Sequence, residues 1–166
     1  MKRLILFRHG KSDWDVSFAK DHARPLAGRG VRAARQMGKL LSKASRIPDL
    51  VVASTAVRAR STAEIAMEAG QWSSQLRLSD DLYASSPSRV LLFLQQLHDD
   101  PQTVMLVGHE PTWSGLVSRF TGANARMPTA AMAAMQFPVA RWKDLRFGSG
   151  ELLWLLQPKF FRHFSL

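Results

Sequence analysis

The chain is expected to fold as an α/β protein: a single three-layer domain with a largely parallel central sheet flanked by helices. Two observations carry that expectation. Short, continuous apolar runs, of the kind a strand buried on both faces shows, alternate with segments of helical spacing over most of the 166 residues. Three of these runs end in polar residues suited to holding an anion and then pass into a helix or loop. The length suits one domain with a real core, so residues 1–166 are expected to form one unit.

Leu4-Ile5-Leu6-Phe7 is the first strand, followed by a polar loop through Asp21 and Arg24-Pro25. From Gly30 to Leu41 the small and apolar residues Val31, Ala34, Met37, Gly38 and Leu41 recur at helical spacing, with Arg29, Arg32, Arg35 and Lys39 on the other side. Leu50 to Ala53 is a second buried strand. Ser54 is expected to cap a helix from Thr55 to Ala69 with Ala56, Ala59, Ala63 and Ala66 inward, ended by Gly70. A short strand is expected at Leu76–Leu78, a helix from Pro87 to Leu97, and a third buried strand at Thr103–Val107. Pro111 suits the first position of a helix to Phe120. After the Met127-Pro128-Thr129 turn, Ala134–Phe137 and Leu152–Leu156 read as a C-terminal antiparallel hairpin.

Composition narrows the chemistry. There is no cysteine, which removes disulfides, thiolate metal sites and every cysteine nucleophile. The five histidines show no HxH or HxxxH spacing, and no Asp/Glu cluster offers an evident magnesium site, so no metal or other cofactor is expected. No apolar run is long enough to span a bilayer. The basic start, Met1-Lys2-Arg3, is followed by only four apolar residues and no small-residue cleavage site, so the cytoplasm is the expected compartment. The net charge of +10 is uneven: residues 1–46 hold twelve Lys/Arg against three Asp. That excess reads as a solvated basic face, or as attraction for an anionic substrate or an acidic partner protein. No aromatic-plus-basic module supports nucleic acid as a partner.

The stretch FRHGKSDWD, at the end of the first strand, holds three overlapping phosphate signatures. GKS ends like a P-loop, but the glycine required five positions before Gly10 is Ile5, inside a strand. DWDV resembles an aspartyl-phosphate nucleophile motif, but Asp13 lies six residues past Phe7, too far from the strand end. Arg8-His9-Gly10 is correctly placed. Ligands of open α/β sheets bind outside the carboxyl ends of the strands. There, His9 and Arg8 can meet Arg58, after the second strand, and His109, after the third. Neutral imidazole can attack phosphorus and carry the phosphoryl group, while guanidinium forks bind its oxygens.

These residues resemble the histidine phosphatase superfamily, also called phosphoglycerate mutase-like. Three motifs match: Arg8-His9-Gly10, the S-x-x-x-R-A-x-x-T-A pattern from Ser54 to Ala63, and Gly108-His109. Within it, RHGKSDW, Asp21…Arg24-Pro25-Leu26…Arg29-Gly30, Met127-Pro128-Thr129 and Gly148 to Trp154 resemble the SixA-type phosphohistidine phosphatases. The resemblance implies a compact sheet without inserted lid segments, and metal-free dephosphorylation of phosphohistidine on a signalling protein. It implies His9 as nucleophile, Arg8 and Arg58 on the phosphoryl oxygens, His109 as the fourth member of the pocket, and Lys11 and Ser12 at its rim. Two carboxylates match alternative positions of the superfamily's general acid: Asp81, in the loop after the second helix, and Glu110, directly after the second histidine. Phosphohistidine needs less acid assistance than an alkyl phosphate, because its protonated imidazole leaves readily. The remaining expectations are hydrolysis of small phosphate monoesters at the same site, or a binding module that retains the pocket without turnover.

Overall fold

The computed structural model of the chain describes residues 1–164. Its sheet has six strands. β1 (Lys2–Arg8), β2 (Leu50–Ser54), β3 (Gln75–Ser79) and β4 (Thr103–Gly108) are parallel, in the spatial order β3-β2-β4-β1. β5 (Met132–Phe137) pairs antiparallel with β1, and β6 (Glu151–Leu156) antiparallel with β5, which is the expected C-terminal antiparallel pair. No helix among the described residues is long and apolar enough to cross a membrane.

Successive side chains of a strand face opposite sides of a sheet, so a continuous apolar strand feeds two cores. In β1, Leu4 and Leu6 join one core, while Ile5 and Phe7 join the other. The second core is covered by α1 (Gly28–Lys43) and α2 (Val57–Gly70), through Met37, Leu41, Ala59, Ala63 and Ala66. The first is covered by α3 (Pro87–Gln95) and α4 (Thr112–Thr121), through Val90, Leu94, Trp113, Leu116 and Phe120. The result is three layers. β1 and β4 are neighbours, yet the helices that follow them lie on opposite faces, and that divergence opens a crevice beyond their carboxyl ends.

Lys2, in the basic start of the chain, is wholly buried: its ammonium donates to the carbonyls of Asp99 and Pro101 and lies 5.5 Å from the Trp142 ring centre. Helices α1 and α2 pack backbone to backbone, because a Cβ at Gly38 would stand only 2.1 Å from the Ala66 carbonyl oxygen.

Helix boundaries correct the sequence reading in several places, and α3 stops at Gln95 rather than Leu97. α1 runs two residues further than expected at each end. α2 begins at Val57 rather than Thr55, and Ser54 does not cap it. Ser54 is instead the last residue of β2, in register with Ser79, and its N-cap position is taken by Ala56, which makes no side-chain cap bond. α4 begins at Thr112, so Pro111 is its cap residue rather than its first helical one.

Candidate active site

His9 follows the last residue of β1 and is held on both sides by backbone. Its N–H donates to the Gly108 carbonyl (3.0 Å), and its own carbonyl accepts from the Ala130 N–H (3.0 Å). The next residue is pinned as well: Gly10 N–H donates to Thr62 Oγ1 (3.0 Å), whose hydroxyl donates to the Arg58 carbonyl (2.6 Å). Gly10 rests against Gly30 of α1, where a Cβ would come 2.2 Å from the Lys11 carbonyl oxygen. The loop after β1 is therefore seated on both helices of one face.

The His9 ring is buried, and its Nδ1 lies 2.7 Å from the Gly10 carbonyl oxygen. A carbonyl only accepts, so Nδ1 carries the proton and Nε2 keeps its lone pair. Burial, and then the charges of Arg58, Arg8 and Arg24, bring the imidazole down to a pKa of about 4, although the Gly10 bond pulls the other way. Near neutral pH His9 is an uncharged base set among cations.

His109 follows β4, and its ring centre is 5.2 Å from that of His9. Ser54 Oγ lies 2.9 Å from its Nε2, so the serine that does not cap α2 orients this ring instead. Its Nδ1 is buried without a hydrogen-bond partner among the described residues. Burial and the charges of His9, Arg58 and Arg8 lower its pKa to about 3, against an opposing pull from Asp21.

Arg58 lies in the first turn of α2 and is buried. Its Nη1 donates to the Asp21 carbonyl (2.8 Å) and its Nη2 to Asp21 Oδ2 (3.0 Å). Arg24, also buried, donates to Asp21 Oδ1 (2.7 Å) and to Ser12 Oγ (2.7 Å), with its guanidinium 3.6 Å from the Trp14 ring centre. Arg8 donates through Nη1 to the Met127 carbonyl (2.9 Å). Its pKa is lowered by burial, with Glu110 opposing. The Nε groups of Arg8, Arg24 and Arg58 are buried and unpartnered among the described residues. Burial alone would raise the Asp21 carboxyl, but bonds from Arg24, Arg58 and the Tyr83 hydroxyl (3.1 Å) together bring its pKa down to about 2.

The four central residues read from the sequence, His9, Arg8, Arg58 and His109, thus gather at one edge of the sheet. The other candidates are placed differently. Asp81 is turned toward α3, where Arg89 donates to it through Nε (3.1 Å) and Nη2 (2.9 Å). Glu110 accepts from the Ser114 hydroxyl (2.6 Å) in the first turn of α4. Lys11 lines a cavity beside Arg8, whereas Ser12 is buried and occupied by Arg24, so its hydroxyl supports that arginine instead of forming the rim. Asp21, Arg24, Ser54, Thr62 and Tyr83 received no functional role from the sequence. Asp21 left two signals there, as one of only three carboxylates among the first 46 residues and as the start of the Asp21…Arg24-Pro25-Leu26 stretch that carries the resemblance. No group of three or more His, Cys, Asp or Glu among the described residues could hold a metal ion.

A neutral imidazole with a free ring nitrogen, two buried guanidinium groups with a third half-buried, and a second imidazole suit attack on a tetrahedral dianion and stabilisation of its spreading charge. Comparison with known proteins agrees. The sequence profile of the histidine phosphatase superfamily (branch 1) matches residues 4–83. An uncharacterized Mycobacterium tuberculosis protein is 32% identical over 92% of this chain and 99% of its own length. A Nakamurella multipartitia structure, a phosphohistidine phosphatase SixA by assignment, superposes with a TM-score of 0.83 at 29% identity, covering 95% of this chain and 96% of that one. The protein histidine phosphatase SixA complexed with tungstate shares the fold, with a TM-score of 0.82 at 23% identity over 96% and 99% of the two chains. On this evidence the chain belongs to the histidine phosphatase superfamily and, within it, to the SixA-type phosphatases.

Proposed function

We propose that this phosphatase works without a metal through a covalent phospho-His9 intermediate, and that its substrate is phosphohistidine on another protein. The observation that carries the reading is the His9 ring itself: buried, uncharged, Nδ1–H fixed on Gly10 and the Nε2 lone pair available among arginines. In the first step Nε2 bonds to phosphorus as the bond to the substrate imidazole breaks. The departing ring keeps the electron pair and leaves neutral when its other nitrogen is protonated. His9 retains its Nδ1 proton, so the phosphorylated ring is an imidazolium, the labile form of a P–N bond. Water then attacks phosphorus, releases inorganic phosphate and returns the electron pair to Nε2. Arg8 and Arg58 hold the equatorial oxygens throughout, and His109, oriented by Ser54, adds a further contact.

The placement of the two carboxylates supports a P–N substrate. Asp81 is turned to Arg89 and Glu110 to Ser114, so neither is held by a bond toward the leaving-group position, where an alkoxide would require a proton. Small phosphate monoesters remain the second substrate class for the same pocket.

The test supplies a phosphohistidine protein and, separately, a panel of phosphate monoesters, both in excess chelator. Faster turnover of the phosphohistidine protein, unaffected by chelator, is expected; complete loss with chelator would sink the metal-free mechanism. His9→Ala should lower kcat by about a thousandfold or more. Normal turnover by that variant would remove His9 as nucleophile and favour a different chemistry. Asp81→Asn and Glu110→Gln should each leave phosphohistidine turnover within about threefold, because a protonated imidazole needs little acid assistance.

A further inference from the structure

Beside the phosphoryl pocket lies a cavity of about 1120 Å³, much larger than a phosphoryl group requires. Arg8 and Lys11 line it, which joins it to the pocket, whereas His9, Arg58 and His109 do not. One wall is the outer side of α1, with Arg29, Arg32, Arg35 and Lys39, a row about 15 Å long at the rise of an α-helix. Arg126, Lys159 and Arg162 line it as well, and the Gln36 side chain joins α1 to the C-terminal segment by donating to the Phe161 carbonyl (2.9 Å). No Asp or Glu lines the cavity, and none of these seven outer cations forms an ion pair with a carboxylate of the described residues. Elsewhere, Arg24, Arg58, Arg60, Arg89 and Arg141 each have a carboxylate partner. Gathering so many unpartnered like charges destabilises a fold unless an anion covers them.

We propose that this groove is a docking site for a glutamate- and aspartate-rich segment of the phosphorylated protein, lying next to the phosphohistidine. The inference rests on the protein-substrate reading above. A phosphorylated side chain delivered to Arg8 brings its flanking residues over the mouth of the groove. The groove then offers guanidinium forks, which pair with carboxylates in two-point geometry. A nucleotide fits less well, because the lining contains a single aromatic residue, the exposed Phe164, and no flat slot for a base. The apolar contributions of Ala33, Pro128 and Pro158 suit the aliphatic parts of polypeptide side chains. Charge complementarity of this kind raises the encounter rate and selects partners more than it raises affinity.

Binding is measured by fluorescence anisotropy on the full chain, with a labelled unphosphorylated peptide rich in glutamate and its glutamine counterpart. The glutamate peptide should bind about tenfold more tightly or better at low ionic strength. That preference should collapse at about 0.5 M salt, where charges are screened within a few ångströms. Arg35→Glu with Lys39→Glu, both exposed on α1, should abolish the preference, and Arg35→Gln with Lys39→Gln should reduce it, with unchanged circular dichroism showing that the helix remains intact. Equal affinity for the two peptides, or a preference that survives the charge reversal, would overturn the proposal. Tighter binding of inorganic polyphosphate or of a single-stranded oligonucleotide, lost in the same variants, would assign the groove to a phosphate polymer and overturn it as well. Turnover of free phosphohistidine, which has no flanking chain, tests the catalytic reading separately, so a failure of one reading is not mistaken for failure of the other.

Discussion

Asp21 has a half-exposed side chain, yet it holds two buried arginines, with one carboxylate oxygen on Arg24 and the other on Arg58. Charge-assisted hydrogen bonds of this sort contribute about 1.5–3 kcal/mol each. Asp21→Asn keeps the shape and removes the charge. It is expected to lower kcat/KM by about ten- to a hundredfold by letting Arg58 drift from the phosphoryl oxygens. A rise in kcat/KM for the same variant would mean that Asp21 competes with phosphate instead of positioning its ligand. Asp21 also marks the limit of the sequence reading at this scale. That Arg8, His9, Arg58 and His109 lie together was legible because strand ends can be located from apolar runs, and in a parallel sheet those ends share one edge. Asp21 on Arg58, Ser54 on His109 and Gly10 on Thr62 join positions 37, 55 and 52 residues apart, and no local pattern encodes such contacts. The carboxylates illustrate the converse: Asp81 and Glu110 matched by position, and each found a nearer partner.

At the scale of elements, the two close approaches of α1 divide stability from activity. A Cβ at Gly38 would meet the Ala66 carbonyl oxygen, a rigid group in the middle of α2. Gly38→Ala should therefore push α1 and α2 apart and cost about 1–3 kcal/mol, read as a lower urea midpoint at an unchanged slope. Gly30 instead abuts the Lys11 backbone, so Gly30→Ala should displace the loop that carries His9 and lower kcat/KM by about tenfold or more with a smaller loss of stability. Equal effects of the two variants on activity would show that the loop tolerates the shift. The helices themselves were legible from spacing, and Ala59, Ala63 and Ala66 are fully buried as that spacing requires. The start of α2 was not. A serine before a helix reads as a cap when local preference is all that is visible, but pairing of β2 with β3 and the bond to His109 claim Ser54 for other partners.

For the molecule as a whole, the buried histidines make stability depend on pH. An ordinary imidazole titrates near 6.5, whereas His9 and His109 fall to about 4 and about 3. Below pH 6.5 the unfolded chain takes up protons that the native pocket refuses, so the unfolding free energy declines as pH falls. Most of the decline should occur between about pH 6.5 and 4, with a loss on the order of 3 kcal/mol from His9 alone. Asp21 acts only lower: its contribution is intact above the ordinary carboxylate range and fades as pH falls toward 2. Urea unfolding across that range should show the trend, and His109→Gln should flatten it; a flat profile in the unmodified protein would mean that the two rings are solvated. The α/β class was legible because parallel strands buried on both faces are apolar throughout. The order β3-β2-β4-β1 was not legible, because strand neighbours are chosen by tertiary packing, and that order is what brings His109 beside His9.

The bonds that hold His9, its backbone between Gly108 and Ala130 and its ring on the Gly10 carbonyl, carry a stereochemical consequence. In the double displacement proposed above, an imidazole that cannot swing receives the phosphoryl group and releases it to water through the same opening. Each transfer in line inverts phosphorus, and two inversions restore the original configuration. A substrate bearing an isotopically chiral thiophosphoryl group should therefore yield inorganic thiophosphate with its handedness retained. Inverted product would mean that water displaces the substrate directly and that His9 never bonds to phosphorus.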